Sequence, residues 1–157
     1  MHRARPPRRH ERGFTIIELA VVGATISILM AIALPRITTT FKRVRMAEAR
    51  TTVGAIENAM REHWGRVDRY PVSGALNPNL ADDFFPTEMD TTLPGWNALS
   101  FKPEGSYRYR YNWETSLDGK TVTIEAYANT DGDGAVGRIV RVLQDGYRYG
   151  NDVEDED

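Results

Sequence analysis

The chain has 157 residues, a length that suits one domain, with no cysteine and only three histidines, His2, His10 and His63. Those counts exclude disulfide staples, thiolate metal sites, a cysteine nucleophile and a lipid-modified cysteine anchor, and they leave a histidine-based catalytic or metal constellation almost nothing to build from. The net charge of −2 conceals an asymmetry: residues 1–13 hold five arginines against Glu11, a net +4, so the remainder carries −6.

From Phe14 to Leu34 the sequence reads FTIIELAVVGATISILMAIAL, 21 residues with a single charge, Glu18. A run of about 20 apolar residues crosses a bilayer as a helix. The arginine-rich head in front of it favours a cytoplasmic residue 1–13 segment and an exported body. A buried core helix of this hydrophobicity does not suit so small a domain. A secretory signal cut after Ala31-Ile32-Ala33 is a competing reading, but the run exceeds the usual apolar length of about 7–15 residues and contains Glu18. A permanent anchor leaves Glu18 unexplained. A carboxylate in apolar surroundings is expensive and needs a positive partner, and no Lys or Arg lies within the span.

Gly13-Phe14-Thr15-Ile16-Ile17-Glu18-Leu19, behind a basic leader and ahead of an apolar run ending at Pro35, resembles the prepilin motif of type IV pilins and pseudopilins. The resemblance implies cleavage after Gly13 by a prepilin peptidase and N-methylation of the new terminus, Phe14. It implies that Glu18 meets the terminal amine of a neighbouring subunit during filament assembly. The match is specific over about residues 8–64 and suggestive beyond. The implied fold is α+β: a long N-terminal α-helix, membrane-spanning in its first half, packed on a small antiparallel β-sheet head. The implied organisation is a cleaved basic leader over 1–13, a transmembrane helix over 14–34, an amphipathic helix over 35–64, a β-rich head over 65–150 and an acidic tail over 151–157.

Past the span, Pro35 lacks an N–H and is expected to kink or loosen the helix. Helical spacing continues to Trp64, but the apolar stripe changes sides near residue 45. Ile37, Phe41 and Val44 share one side; Met46, Ala49, Val53, Ile56, Met60 and Trp64 share another. Either the first stripe serves other subunits and the second the chain's own head, or one stripe drifts around a single amphipathic helix. Gly65 is the expected stop, giving a helix of roughly 75 Å from Phe14. His63, at the end of the stripe, reads as a core-edge or solvated side chain.

Residues 65–105 read as loop, with five prolines among Gly, Asn and Asp, and with Tyr70-Pro71 and Phe84-Phe85-Pro86 as aromatic anchors. Tyr107, Tyr109, Tyr111 and Trp113 then alternate with Arg108, Arg110 and Asn112 at the strand period, which points the aromatics inward and the arginines to solvent. The same strip offers a single-stranded nucleic-acid surface, but the alternation splits its two halves between faces and the −6 body repels a phosphate backbone. Nucleic acid is therefore not an expected partner. Asp118-Gly119 and Asp145-Gly146 signal turns between three or four antiparallel strands.

Asn129, Asp131 and Asp133, with Gly132 and Gly134, match the first half of an EF-hand loop. The closing acid is missing because the twelfth position is Val140, so a tight acidic turn competes with a calcium site. No other cofactor is indicated. Residues 151–157 read as a solvated, disordered end.

The expected role is structural rather than enzymatic: a subunit of a type IV pilus-type filament, made as an inner-membrane prepilin with a cytoplasmic N-terminus and ending in an extracellular pilus or periplasmic pseudopilus. Its expected partners are other filament subunits, the prepilin peptidase, the inner membrane and the pilus assembly machinery. Alternatives are a pseudopilin of a type II secretion system or a minor competence pilin contacting DNA. A soluble periplasmic module beginning at Leu34 and a membrane-tethered hydrolase are competitors from other classes. The second has no nucleophile motif, and only a pair of carboxylates would supply its chemistry.

Overall fold

The computed structural model describes residues 13–78, 86–129 and 137–155. Helix α1 (Ile16–Val67) holds 52 residues. It is followed by strands β1 (Gly74–Asn77), β2 (Thr87–Glu88), a short 3-10 turn (Trp96–Ala98), and strands β3 (Ser106–Tyr107), β4 (Arg110–Thr115), β5 (Thr121–Ala128), β6 (Gly137–Gln144) and β7 (Tyr147–Asp155). The chain forms two compact units, residues 1–39 and 40–157.

In the first unit α1 continues through Pro35 without a break. The ring removes one donor, which leaves the carbonyl of Ala31 without its usual helical partner. The hydroxyls of Thr38 and Thr39 both donate to the Pro35 carbonyl, each at 2.9 Å. In the second unit the helix ends two residues beyond Gly65, at Val67. Asp68 takes the left-handed conformation (φ 54°) and its N–H still reaches the Trp64 carbonyl at 2.8 Å. An aspartate tolerates that conformation better than most residues, so the stop does not need the glycine.

Met46, Ala49, Val53, Ile56 and Met60, spaced at one helical face, are buried. They meet the inner sheet face, where Tyr111, Trp113, Val122, Ile124, Ala126, Ile139 and Leu143 alternate with half-buried or exposed neighbours. Each such large side chain contributes about 1.5–3 kcal/mol on burial. The earlier stripe stays uncovered: Ile37, Phe41 and Val44 are 46%, 56% and 62% exposed. Trp64 is half-buried and packs on Tyr70 at 4.8 Å between ring centroids.

The main sheet is five-stranded and antiparallel, in the order β1-β4-β5-β6-β7, with β2 and β3 forming a separate pair. Strands β1, β2 and β7 depart from the sequence expectation, β2 because it too falls within residues 65–105. Strand β1 lies in the segment expected to be loop. Its four residues GALN show no alternation, and side chains rather than pattern hold it in place. Trp113 Nε1 donates to the Val72 carbonyl at 3.0 Å, Trp96 Nε1 to Ala75 at 2.6 Å, and Thr115 Oγ1 to Pro71 at 2.7 Å. Strand β7 overturns the disordered tail, since residues 151–155 pair with β6 in a ladder running from Gln144↔Tyr147 to Arg138↔Asp155. The turn before it places Asp145 (φ 49°) and Gly146 (φ 85°) in succession at positive φ, the geometry of a tight hairpin.

Of the expected anchors, Tyr70 and Pro71 are buried, Pro86 is exposed, and Phe84 and Phe85 lie outside the described residues. His63 stands at the core edge, with Nδ1 3.2 Å from the Ala98 carbonyl.

Candidate functional site

The apolar segment opening α1 is uncovered on every side. Phe14, Ile16, Ile17 and Leu19 are 86%, 90%, 76% and 71% exposed, and no residue of its most apolar stretch is buried. It is the one helix among the described residues long and apolar enough to cross a membrane. A continuous apolar surface of this extent is not compatible with water and needs lipid or other protein around it. The segment is also finished internally for such surroundings. Its two mid-span hydroxyls bond back to the helix, Thr25 to the Val21 carbonyl and Ser27 to the Gly23 carbonyl, each at 2.8 Å. This back-bonding leaves no unsatisfied hydroxyl in the span.

The remaining polar group is Glu18, and the structure gives it a role that the prepilin motif does not suggest. Its carboxylate accepts the Thr15 backbone N–H at 2.8 Å and the Thr15 hydroxyl at 2.8 Å, while the Glu18 N–H donates to Thr15 Oγ1 at 3.2 Å. Thr15 and Glu18 thus form a reciprocal capping box that satisfies orphan donors of the first helical turn. The signal is present in the sequence as Thr-x-x-Glu ahead of an apolar run. It is masked because the same glutamate also belongs to the Gly-Phe-x-x-x-Glu pattern. The carboxylate lies at the N-terminal end of its own helix. Among the described residues nothing lies within 4 Å of where a Gly13 Cβ would stand, and Phe14 is exposed.

The aromatics of the tyrosine–arginine strip point inward as the alternation predicts, but its arginines do not stand free in solvent. Tyr109 and Tyr111 are buried in the core and Tyr107 packs edge-on to Tyr111 at 6.1 Å. Arg108 and Arg110, expected to face solvent, are half-buried, and the Arg108 N–H donates to Glu48 Oε1 at 3.3 Å. No stacking platform for bases survives in this strip. In the acidic loop, Asn129 is half-buried at the end of β5, while Asp131 and Asp133 lie outside the described residues. Among the described residues no group of three or more His, Cys, Asp or Glu side chains gathers to hold a metal.

No protein-family model matches the chain, and no solved structure matches it. Curated relatives do. The chain is 34% identical over 100 residues to the type IV major pilin protein PilA of Myxococcus xanthus, covering 64% of this chain and 36% of that protein. It is 38% identical over 65 residues to the fimbrial protein EcpC of Eikenella corrodens, covering 41% and 42% respectively. It is 28% identical over 119 residues to the type IV narrow pilus major component PilA5 of Thermus thermophilus, covering 76% of this chain and 83% of the relative. The matched stretch thus spans about two fifths or less of the first two relatives. An uncovered apolar helix opening on a capped glutamate, a second helical stripe buried by an antiparallel sheet, and relatives named as pilus or fimbrial proteins agree: the chain is similar to type IV pilins.

Proposed function

We propose that this protein is a structural subunit of a type IV pilus filament, held in the inner membrane as a precursor and then assembled through its apolar helix. The observation that carries the reading is the uncovered segment from Phe14 to Leu34, whose only charge is Glu18 at the helix entrance. A helix apolar all round is stable in lipid or among other such helices. Passage from the first setting to the second requires no refolding. The relatives are named as pilus or fimbrial proteins, which supports a filament rather than a catalytic role.

On this reading a prepilin peptidase cuts after Gly13, Phe14 becomes the methylated terminus, and the Phe14 amine of one subunit meets the Glu18 carboxylate of its neighbour. Two opposite charges in apolar surroundings select one axial register, because any other leaves both unpaired. The capping box keeps the Glu18 carboxylate oriented until then. The expected surroundings are the inner membrane with its assembly machinery, followed by the extracellular filament. Calcium in the Asn129, Asp131, Asp133 loop is proposed as a stabiliser of the head.

Two measurements test this. Intact-mass analysis of protein from its native cell should find a chain lacking residues 1–13 and carrying one methyl group. A terminus at Leu34 or an uncut Met1 would refute it. The second compares Glu18→Gln with Glu18→Ala. Glutamine retains a capping side chain without the charge. If charge registers the subunit, both variants insert in the membrane and both fail to enter filaments. Normal filament yield from Glu18→Gln, with loss only in Glu18→Ala, would reduce Glu18 to a helix cap.

A further inference from the structure

Strand β7 differs from the other long strands of the sheet. None of its nine residues is buried, and Tyr147, Tyr149 and Val153 are 76%, 67% and 67% exposed. Its side chains are joined to the rest of the head by charge. Asp152 accepts two bonds from Arg141 of β6, one of them from Nε at 2.8 Å. Arg148 donates to Glu57 of α1 at 2.6 Å. Glu154 accepts a two-point bond from Arg50 of α1, with Nε to Oε1 at 2.9 Å. Behind the strand, Arg141 Nη1 donates to Glu57 at 2.8 Å, and both residues are 5% exposed. Arg61 also holds Glu57, at 2.7 Å.

The arrangement has an asymmetry. If β7 leaves, Glu57 keeps Arg141 and Arg61, while Asp152, Arg148 and Glu154 pass to water. No buried charge is stranded, which is the usual large penalty for breaking such a network. No apolar side chain of β7 leaves the core, because none is in it. Segments with few buried apolar contacts open at free energies well below that of the whole fold. We propose that β7 is an ionic strap: residues 147–155 open as a unit, before the helix-and-sheet core, when their ion pairs with Glu57, Arg141 and Arg50 are screened or neutralised. Opening uncovers the outer edge of β6. The proposal does not depend on the filament reading.

Salt and acid act on different members. Salt weakens first the pairs with one exposed side chain, Arg50–Glu154 and Arg148–Glu57, whose arginines are 46% and 42% exposed. Acid acts through the carboxylates. Asp152 is faced by Arg141 from β6, Arg50 from α1 and Arg148 on its own strand. Glu154 is faced by Arg50, and Glu57 by Arg61, Arg141 and Arg148, with Tyr70 and Asp145 nearby. The Arg141 hydrogen bonds hold the Asp152 carboxyl below its ordinary value of 3.8. A depressed acid stabilises the fold above the unfolded value, and that contribution disappears as pH falls through the folded one. The acid window therefore lies below about pH 4.

Hydrogen exchange of the full chain in detergent micelles tests the strap. Between about 0.05 M and about 1 M NaCl at neutral pH, amides of residues 147–155 should exchange about tenfold faster, while Thr121–Ala128 of β5 stay unchanged. Asp152→Asn and Glu154→Gln should each raise β7 exchange at low salt and blunt the salt response. Equal protection of β7 and β5 at both salts, simultaneous loss in both strands, or unaltered exchange in the variants would overturn the proposal. Should Asp152→Asn fail to fold, Glu154→Gln, in the more exposed pair, decides between the outcomes by itself.

Discussion

Replacing Gly74 by alanine should destabilise the head far more than a surface methyl group normally does. Gly74 lies opposite Trp113 across the β1–β4 ladder, and a Cβ there would stand 2.5 Å from Trp113 Cζ3 and 2.6 Å from Cδ2 and Cε2. Ordinary contact needs about 1 Å more. The indole has no room to give it: Trp113 is 1% exposed, packs edge-on against Trp96 at 4.7 Å, and donates Nε1–H to the Val72 carbonyl at 3.0 Å. Overpacking of this kind costs about 1–3 kcal/mol, and loss of the indole hydrogen bond adds about 1 kcal/mol. The expected loss is thus about 2–4 kcal/mol. In urea, with a slope of about 1–3 kcal/mol per molar, the midpoint should fall by about 1–2 M. Tryptophan fluorescence of the full chain in detergent follows the transition directly. Trp113→Phe in the Gly74→Ala background should cost less than the sum of the two single changes, since the smaller ring makes room. A midpoint within error of the parent, or strictly additive costs, would refute the idea that the indole face fixes β1 to the sheet.

Three other outcomes are expected. Gly146→Ala forces a left-handed backbone at φ 85° and places a Cβ 2.9 Å from the Trp64 ring, so calorimetry should show the melting temperature falling by about 4–8 °C for each of roughly 1–2 kcal/mol lost. Burial pushes the Tyr111 and Tyr70 phenols above their ordinary value of 10.0. A raised phenol contributes stability that is complete below the unfolded value and lost as pH rises beyond it, so absorbance at alkaline pH should show Tyr111 ionising only together with unfolding. If the acidic loop holds calcium with the millimolar to tenth-millimolar affinity of extracellular sites, about 10 mM calcium should stabilise the head by about 1.4–2.7 kcal/mol, and Asp131→Asn with Asp133→Asn should abolish the effect. No calcium response in the parent chain would dismiss the site.

The helix is legible in the sequence because its signal is local. Twenty-one residues with one charge, and apolar side chains returning at helical spacing from Met46 to Met60, need no tertiary partner to be recognised. The change of stripe near residue 45 is equally visible, but which stripe is covered is not. Burial of Val53 and Ile56 with exposure of Phe41 and Val44 follows from where the sheet lies. Strands β5 and β6 alternate cleanly, with the Asp118-Gly119 turn before β5 and the Asp145-Gly146 turn after β6, so their outer hairpin partners follow from period and punctuation. Strand β1 is four residues long and shows no period; it pairs with β4, and Trp96, Trp113 and Thr115, between 21 and 44 residues away along the chain, bond to Ala75 and to Val72 and Pro71 just before it. Strand β7 looks like disorder in sequence because acidic composition implies solvation unless cations lie opposite. Arg50 of α1 and Arg141 of β6 supply those cations.

The sequence by itself determined that an apolar helix opens the chain, that Glu18 is its one charge, and that histidine- or cysteine-based chemistry has no basis here. Tertiary structure decided what composition leaves degenerate. Glu18 caps its own helix through Thr15, Arg108 and Arg110 of the basic strip are half-buried, and residues 151–155 of the acidic end belong to a strand. Charge and hydrogen-bonding capacity are properties of a residue, but whether they are satisfied depends on which distant groups the fold brings within about 3 Å.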